Sequence, residues 1–281
     1  GVVEGDRGAV ILDGRDVTHA PPNEIAAMGI SQMPGGQGVF GALTVHENLQ
    51  LAGWTRRHEP EARDAAIEEV LEMFPVLRDR LHRDAADLSG GQQQMLALGM
   101  AFVAKPRVLL IDELSLGLAP VVVGQLLPIV QRVAEEGTAV ILVEQSVNVA
   151  LTVAQRAYFM ERGAIRFSGA TAELLERKDL LRSVFLSGAA ESDSGTAPAA
   201  AAPVHEEGTV PVLQVTELTR AFGGNRAVNG ATFDVMPREI VGMIGPNGAG
   251  KTTMLSAVML SLIHISEPTR RTPISYAVFC L

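Results

Sequence analysis

The sequence predicts an α/β fold built on a largely parallel sheet, and three observations carry that prediction. Short β-branched runs alternate with longer helical patterns from Gly1 to about Gly188. A glycine-rich stretch, Gly245-Pro246-Asn247-Gly248-Ala249-Gly250-Lys251-Thr252-Thr253, lies between an apolar strand and a helical run. A second apolar run, Val108 to Ile111, ends in two carboxylates, Asp112 and Glu113.

In chain order, the first region predicts strands at Ala9 to Leu12, Val108 to Ile111, Ala139 to Val143 and Tyr158 to Met160. Between them fall helices over Glu61 to Met73, Gln93 to Ala104 and Val121 to Glu135, the last closed by Gly137. Residues 189–210 read as a linker, because Ala/Pro/acidic text around Ala199 to Ala202 cannot bury enough surface to order itself. Strand patterns return at Leu213 to Thr219, Thr232 to Val235 and Ile240 to Ile244. Trp54, Met95 and Met100 are expected to pack inside, and His82 and His205 to be solvated.

Composition narrows the functional classes. The 281 residues are 47% hydrophobic and 20% charged, which is a folded composition. A net charge of -9, from 23 basic and 32 acidic residues, argues against nucleic acid as a partner. A single cysteine, Cys280, excludes an intramolecular disulfide framework and points to a reducing compartment. No apolar run reaches the roughly 18 residues of a membrane span, and no signal peptide is visible.

The Gly245 to Thr253 stretch fits G-x-x-x-x-G-K-[ST]. Its glycines allow the backbone to wrap a phosphate chain with N–H groups turned inward, and the helix that follows adds its positive end. Lys251 is placed to reach the outer phosphates, and Thr252 to hold Mg²⁺. Upstream, Leu88-Ser89-Gly90-Gly91-Gln92 opens a helical run about twenty residues before the Asp112-Glu113 strand end. An Asp beside a metal and a Glu beside a water is how phosphate-loop enzymes place metal and nucleophile.

These motifs together resemble the ATP-binding subunits of ABC transporters, with a P-loop NTPase-type nucleotide-binding domain and a helical subdomain. Leu88 to Gln92 stands as the family's signature, Val108 to Glu113 as its Walker B strand and Gly245 to Thr253 as its Walker A loop. Ser115 to Pro120, Val143-Glu144-Gln145 and Leu43 to Leu49 are similar to one ATP-binding subunit of the branched-chain (hydrophobic) amino-acid uptake transporters. Phe222 to Asn229 with the Walker A loop resembles the opening of the other subunit of that system. The resemblance implies ATP and Mg²⁺ as cofactors, with Asp112 and Thr252 at the metal. It makes Glu113 the carboxylate that polarises water, Gln145 the switch residue and Phe222 the adenine stack; a core role for Phe222 is the alternative. Leu88, Ser89, Gly90, Gly91 and Gln92 would cap ATP held by an opposite subunit. Gly35 stands where the family carries Gln or Glu, with Gln32 and Gln37 nearby, and Leu114 replaces a proline.

The implied partners are a second ABC ATPase domain, membrane permease subunits near the Val39 to Leu49 loop and, indirectly, a substrate-binding protein. The implied location is cytoplasmic, on the inner face of the plasma membrane. Two other functions stay open: a soluble ABC protein of translation or repair, and an inactive fragment.

Residues 1–188 read as an ABC domain without its Walker A region, and 211–259 as the first part of a second, so each is incomplete. The order is that of a permuted domain, and docking of the second part on the first would bring Lys251 to Asp112. Residues 260–281 resemble a translated transposase-type sequencing adapter: Leu260 to Arg270 and Ile274 to Leu281 match its constant flanks, with Arg271-Thr272-Pro273 in the place of an index. They are expected to be non-biological.

Overall fold

The computed structural model describes residues 6–36, 38–176 and 209–260, with Leu260 described by its backbone alone. Gln37, His205 and the 260–281 tail beyond its first residue therefore lie outside the described residues. In chain order the long segment forms β1 (Arg7–Leu12), β2 (Arg15–Asp16), α1 (Pro22–Ala27) and β3 (Ile30–Met33). A helical layer follows: α2 (Val45–Ala52), α3 (Pro60–Met73), α4 (Pro75–Arg78) and α5 (Gly90–Val103). Then β and α alternate: β4 (Val108–Asp112), α6 (Pro120–Glu135), β5 (Ala139–Glu144), α7 (Val147–Val153), β6 (Arg156–Glu161), β7 (Ala164–Ala170) and α8 (Thr171–Glu176). The C-terminal segment adds β8 (Leu213–Phe222), β9 (Asn225–Val235), β10 (Ile240–Ile244) and α9 (Lys251–Leu260).

The two segments share both sheets. One sheet runs β2-β1-β8-β9 and is antiparallel. The other runs β3-β4-β5-β10-β6-β7, with only its last pair antiparallel. Strand β10 thus lies between β5 and β6, with Ile244 opposite both Glu144 and Phe159. Strands buried on both faces read as continuous apolar runs, as β4, β5 and β10 do.

Alternate residues of those strands feed two cores. Leu109, Ile111, Val140, Leu142 and Ile240 pack with α2, α3, α5 and α6. Val108, Leu110, Ile141, Val143, Val241 and Met243 pack with the antiparallel sheet and α9. The period of two places the helical layer on one face and the phosphate-loop helix on the other.

Polar contacts also join the segments. The Arg156 guanidinium donates to the buried Glu239 carboxylate at 2.7 Å and to Asp234 at 3.2 Å. The Ile240 N–H donates to Gln155 Oε1 at 2.6 Å.

Departures from the sequence pattern have physical reasons at three places. Helix α5 starts at Gly90 and not at Gln93, because Ser89 caps it: Ser89 Oγ accepts from the Gln92 N–H and Gln92 Oε1 accepts from the Ser89 N–H. Strand β9 starts at Asn225 and not at Thr232, since register shifts along the β8–β9 hairpin break the alternation that marks a strand. Trp54 is 42% exposed and lies under the Arg57 guanidinium, 5.2 Å from the ring centroid, so it is not a core residue. Met95 and Met100 are half-buried against the helical-layer core, and His82 is exposed.

Candidate nucleotide-binding site

Three neighbouring parallel strands end side by side. Asp112 of β4 lies opposite Val143 of β5, and Glu144 of β5 lies opposite Ile244 of β10. Their carboxyl ends therefore present Asp112 and Glu113, then Glu144 and Gln145, then the Gly245 loop, in one row. In open α/β sheets this edge is where ligands bind.

The loop is shaped by glycines at two points. Gly250 has φ of +96°, and a Cβ there would lie 2.1 Å from the Ala227 carbonyl oxygen. A Cβ on Gly245 would lie 2.3 Å from the Met160 carbonyl oxygen. Both contacts are with backbone of the strands that flank the loop, so the chain closes around it. Lys251 is buried and donates its ammonium to the carbonyls of Gly245, at 2.8 Å, and Pro246, at 3.1 Å. Burial pulls its pKa down, while the charges of Glu113, Asp112 and Glu144 push it back up.

Asp112 faces the first residues of α9. Burial raises its pKa, a hydrogen bond with the Thr252 side chain lowers it, and the Glu113 charge adds to the rise against the pull of Lys251. Its Oδ1 is buried with no hydrogen-bond partner. An orphaned carboxylate oxygen beside a threonine hydroxyl is a donor set suited to Mg²⁺, which takes one or two protein oxygens and completes its shell with water and phosphate.

Glu113 adopts a left-handed backbone, φ +51°, and its N–H donates to the Val143 carbonyl at 2.9 Å. Gln145 is exposed at the end of β5. Leu114 is fully buried, so it fills core where the resemblance has a proline. Gly35 stands over Asp112: a Cβ would lie 3.4 Å from the Asp112 carbonyl oxygen and 3.8 Å from Oδ2. No side chain reaches out at that position.

Phe222 closes β8 and is 47% exposed, which removes the core alternative. The Arg220 guanidinium sits 4.8 Å from its ring centroid. The same hairpin backs onto the phosphate loop through Ala227.

The signature residues are elsewhere. Leu88 belongs to the helical-layer core, whereas Ala249, Met254 and Leu255 belong to the core on the opposite face of the sheet. Ser89 and Gly90 are exposed, and Gln92 is occupied in capping Ser89. The structure thus brings together Asp112, Glu113, Gln145 and the Gly245 to Thr253 loop, and leaves Leu88 to Gln92 outside that group. The motif reading named Glu144 beside Gln145 but gave it no role; it is buried, and its signal was a carboxylate at the end of an otherwise apolar strand.

The ABC transporter family model matches residues 1–115 and 228–268, which takes in parts of both segments. The chain belongs to the ABC transporter family. Its ATP-binding domains are ATPases that bind ATP or ADP. The chain is 39% identical over 181 residues to the branched-chain amino acid transport ATP-binding protein BraG of Pseudomonas aeruginosa, covering 64% of this chain and 76% of that protein. It is 37% identical over 172 residues to the probable branched-chain amino acid transport ATP-binding protein LivF of Archaeoglobus fulgidus, covering 61% and 72%. It is also 29% identical over 185 residues to the lipopolysaccharide export ATP-binding protein LptB of Haemophilus influenzae, covering 65% and 76%. Among solved structures, a nucleotide-free ATP-binding cassette from an ABC transporter superposes with a TM-score of 0.56 at 24% identity, covering 64% of this chain and 77% of that one. A dimeric cassette in a post-hydrolysis state bound to ADP and Pi superposes with a TM-score of 0.53 at 22% identity, covering 59% and 74%. These likenesses establish the fold. Among the described residues no helix is long and apolar enough to cross a membrane.

Proposed function

We propose that the chain is an ATP-binding and ATP-hydrolysing subunit of an ABC importer for branched-chain or related amino acids, with residues 6–176 and 209–260 forming one nucleotide-binding half in permuted order. The observation that carries this reading is the placement of β10 between β5 and β6, which sets the Lys251 loop beside Asp112 and Glu113. The importer class is supported by the BraG and LivF relatives, both more similar to this chain than the LptB relative is.

In this reading the N–H groups of Gly248 to Thr253 and the end of α9 hold the phosphates. Lys251 leaves the Gly245 and Pro246 carbonyls for the outer phosphates, and Phe222 stacks on the base. Asp112 and Thr252 would hold Mg²⁺, which supplies charge neutralisation on the transferred phosphoryl group. Glu113 accepts a hydrogen bond from the attacking water and polarises it, and Gln145 contacts the outer phosphate. Ser89 and Gly90 face outward and, with the backbone of Gly91, cap the site of a second such domain, with Leu88 and Gln92 holding that loop in shape. Permease subunits would dock near the Val39 to Leu49 loop at the cytoplasmic face of the membrane. That loop is pinned by the buried Asn48 side chain, which donates to the Phe40, Leu43 and Thr44 carbonyls.

The test is ATP turnover by the purified chain with Mg²⁺, repeated with Lys251→Ala. Turnover that the substitution abolishes supports the reading. Turnover that survives it places the activity elsewhere.

A further inference from the structure

We propose that Glu144 is a positioning residue that clamps the loop after the catalytic carboxylates to the switch turn, and so holds the strained backbone of Glu113. The proposal rests on ATP hydrolysis at the Lys251–Asp112 site. Glu144 is the last residue of β5 and is 1% exposed. Its Oε1 accepts from the Ser115 N–H at 2.9 Å and its Oε2 from the Ser115 hydroxyl at 2.7 Å. One side chain thus ties Ser115 to the strand end that leads into Gln145.

The clamp has a strained object to hold. Glu113 has φ of +51°, a conformation that a side chain without a local hydrogen bond of its own disfavours. Such a residue persists only where its surroundings fix it on both sides. On the N-terminal side the Glu113 N–H is fixed to the Val143 carbonyl at 2.9 Å. On the C-terminal side Ser115 is fixed to Glu144, and the turn closes with Leu116 N–H to the Glu113 carbonyl at 3.2 Å and Leu118 N–H to the Ser115 carbonyl at 3.2 Å. Both anchors come from the last two residues of β5. A solvated loop would not need a buried carboxylate in a strand that is otherwise apolar, Ala139 to Val143.

Burial pushes the Glu144 carboxyl up, the Ser115 bonds pull it back, and the Glu113 charge works against its ionised form. An acid in that surrounding is costly to keep; its two oxygens meet the N–H and the hydroxyl of Ser115 at once, and a glutamine could keep both contacts by accepting from the N–H and donating to the hydroxyl oxygen.

The test uses the full chain, with hydrogen exchange of the 113–118 amides and steady-state ATP turnover in Glu144→Ala, Glu144→Gln and Ser115→Ala. Glu144→Ala is expected to speed exchange of the Ser115, Leu116 and Leu118 amides at least tenfold, leave the β4 and β5 amides unchanged, and lower kcat on the order of tenfold to a hundredfold with KM unchanged. Glu144→Gln is expected to recover most of both, and Ser115→Ala to add little to Glu144→Ala. Local exchange without any turnover in the wild type would sink the ATPase reading and keep the clamp. Unchanged exchange, or exchange faster throughout the sheet, would overturn the clamp. Full turnover in Glu144→Ala despite faster local exchange would overturn its positioning role.

Discussion

The phosphate loop and the signature loop are both glycine-rich turns that open a helix, and Gly245 and Gly250 of the first sit against their own chain differently from Gly90 of the second. At Gly250 and Gly245 a methyl group would collide with the carbonyls of Ala227 and Met160. At Gly90 it would meet nothing within 4 Å, and Gly90 is not among the left-handed glycines. A glycine in a helix costs stability relative to alanine, and at Gly90 neither space nor a left-handed backbone requires it. Gly91 beside it is closed by its own chain, since a Cβ there would lie 3.2 Å from Val122 Cγ1, and Gly248 of the phosphate loop is as open as Gly90. The contrast is therefore between Gly245 and Gly250, fixed by the fold, and Gly90, which in the proposed reading faces nucleotide on a second copy.

The sharpest way to break this contrast is to measure nucleotide binding and turnover in the two loops separately. Lys251→Ala is expected to weaken ATP binding by at least a hundredfold, whereas Gly90→Ala leaves binding unchanged and lowers turnover about a hundredfold. Equilibrium titration with a fluorescent nucleotide, beside a phosphate-release assay, separates the two. Equal loss of binding in both variants would erase the distinction.

Stability is expected to diverge the same way. Gly250→Ala forces a side chain into a left-handed position against backbone and is expected to cost about 3 kcal/mol or more. Gly90→Ala is expected to change stability by less than about 1 kcal/mol, with stabilisation the favoured sign. Urea unfolding curves monitored by circular dichroism check both.

The joint between segments gives the next effect. Arg156→Ala leaves Glu239, 1% exposed, without its guanidinium. A loss of about 3 kcal/mol is expected, reduced somewhat because Arg156 itself is partly exposed. A single cooperative transition is expected in wild type and variant. Two separate transitions would show that the segments fold as independent units.

The smallest effect is one of pH. The folded pKa of Glu144 is raised by burial above its ordinary value of 4.5. Its contribution is therefore fully present below that value and lost as pH rises through the raised folded pKa. Glu144→Gln removes this loss, so its stability relative to wild type is expected to increase with pH across that window. A flat difference would place Glu144 in a solvated setting.

Much of this arrangement was legible in the sequence. The Gly245 to Thr253 loop and the Val108 to Asp112 strand carry their chemistry in residue types at fixed spacing, and Ile240 to Ile244 reads as the buried strand it is. The docking of the second segment on the first was open to expectation from the order of the motifs, but the strands that β10 pairs with were not legible. That β10 inserts between β5 and β6, and not at another place in the sheet, depends on which buried apolar strands pair, and Val, Ile and Leu runs are interchangeable in that respect. The early start of β9 was hidden by bulges, and the exposure of Trp54 by its stacking with Arg57. Glu144 was visible as a carboxylate in an apolar strand, yet only the position of Ser115 gives it a partner.

The central claim is that one chain supplies a complete nucleotide-binding half and that two such halves are needed for turnover. Mg²⁺-dependent ATP hydrolysis by the purified full chain, measured against chain concentration, tests it most directly. The account predicts that specific activity rises with concentration and that both Lys251→Ala and Glu113→Gln abolish it. Hydrolysis independent of concentration and insensitive to those substitutions, or no hydrolysis at any concentration, would contradict it.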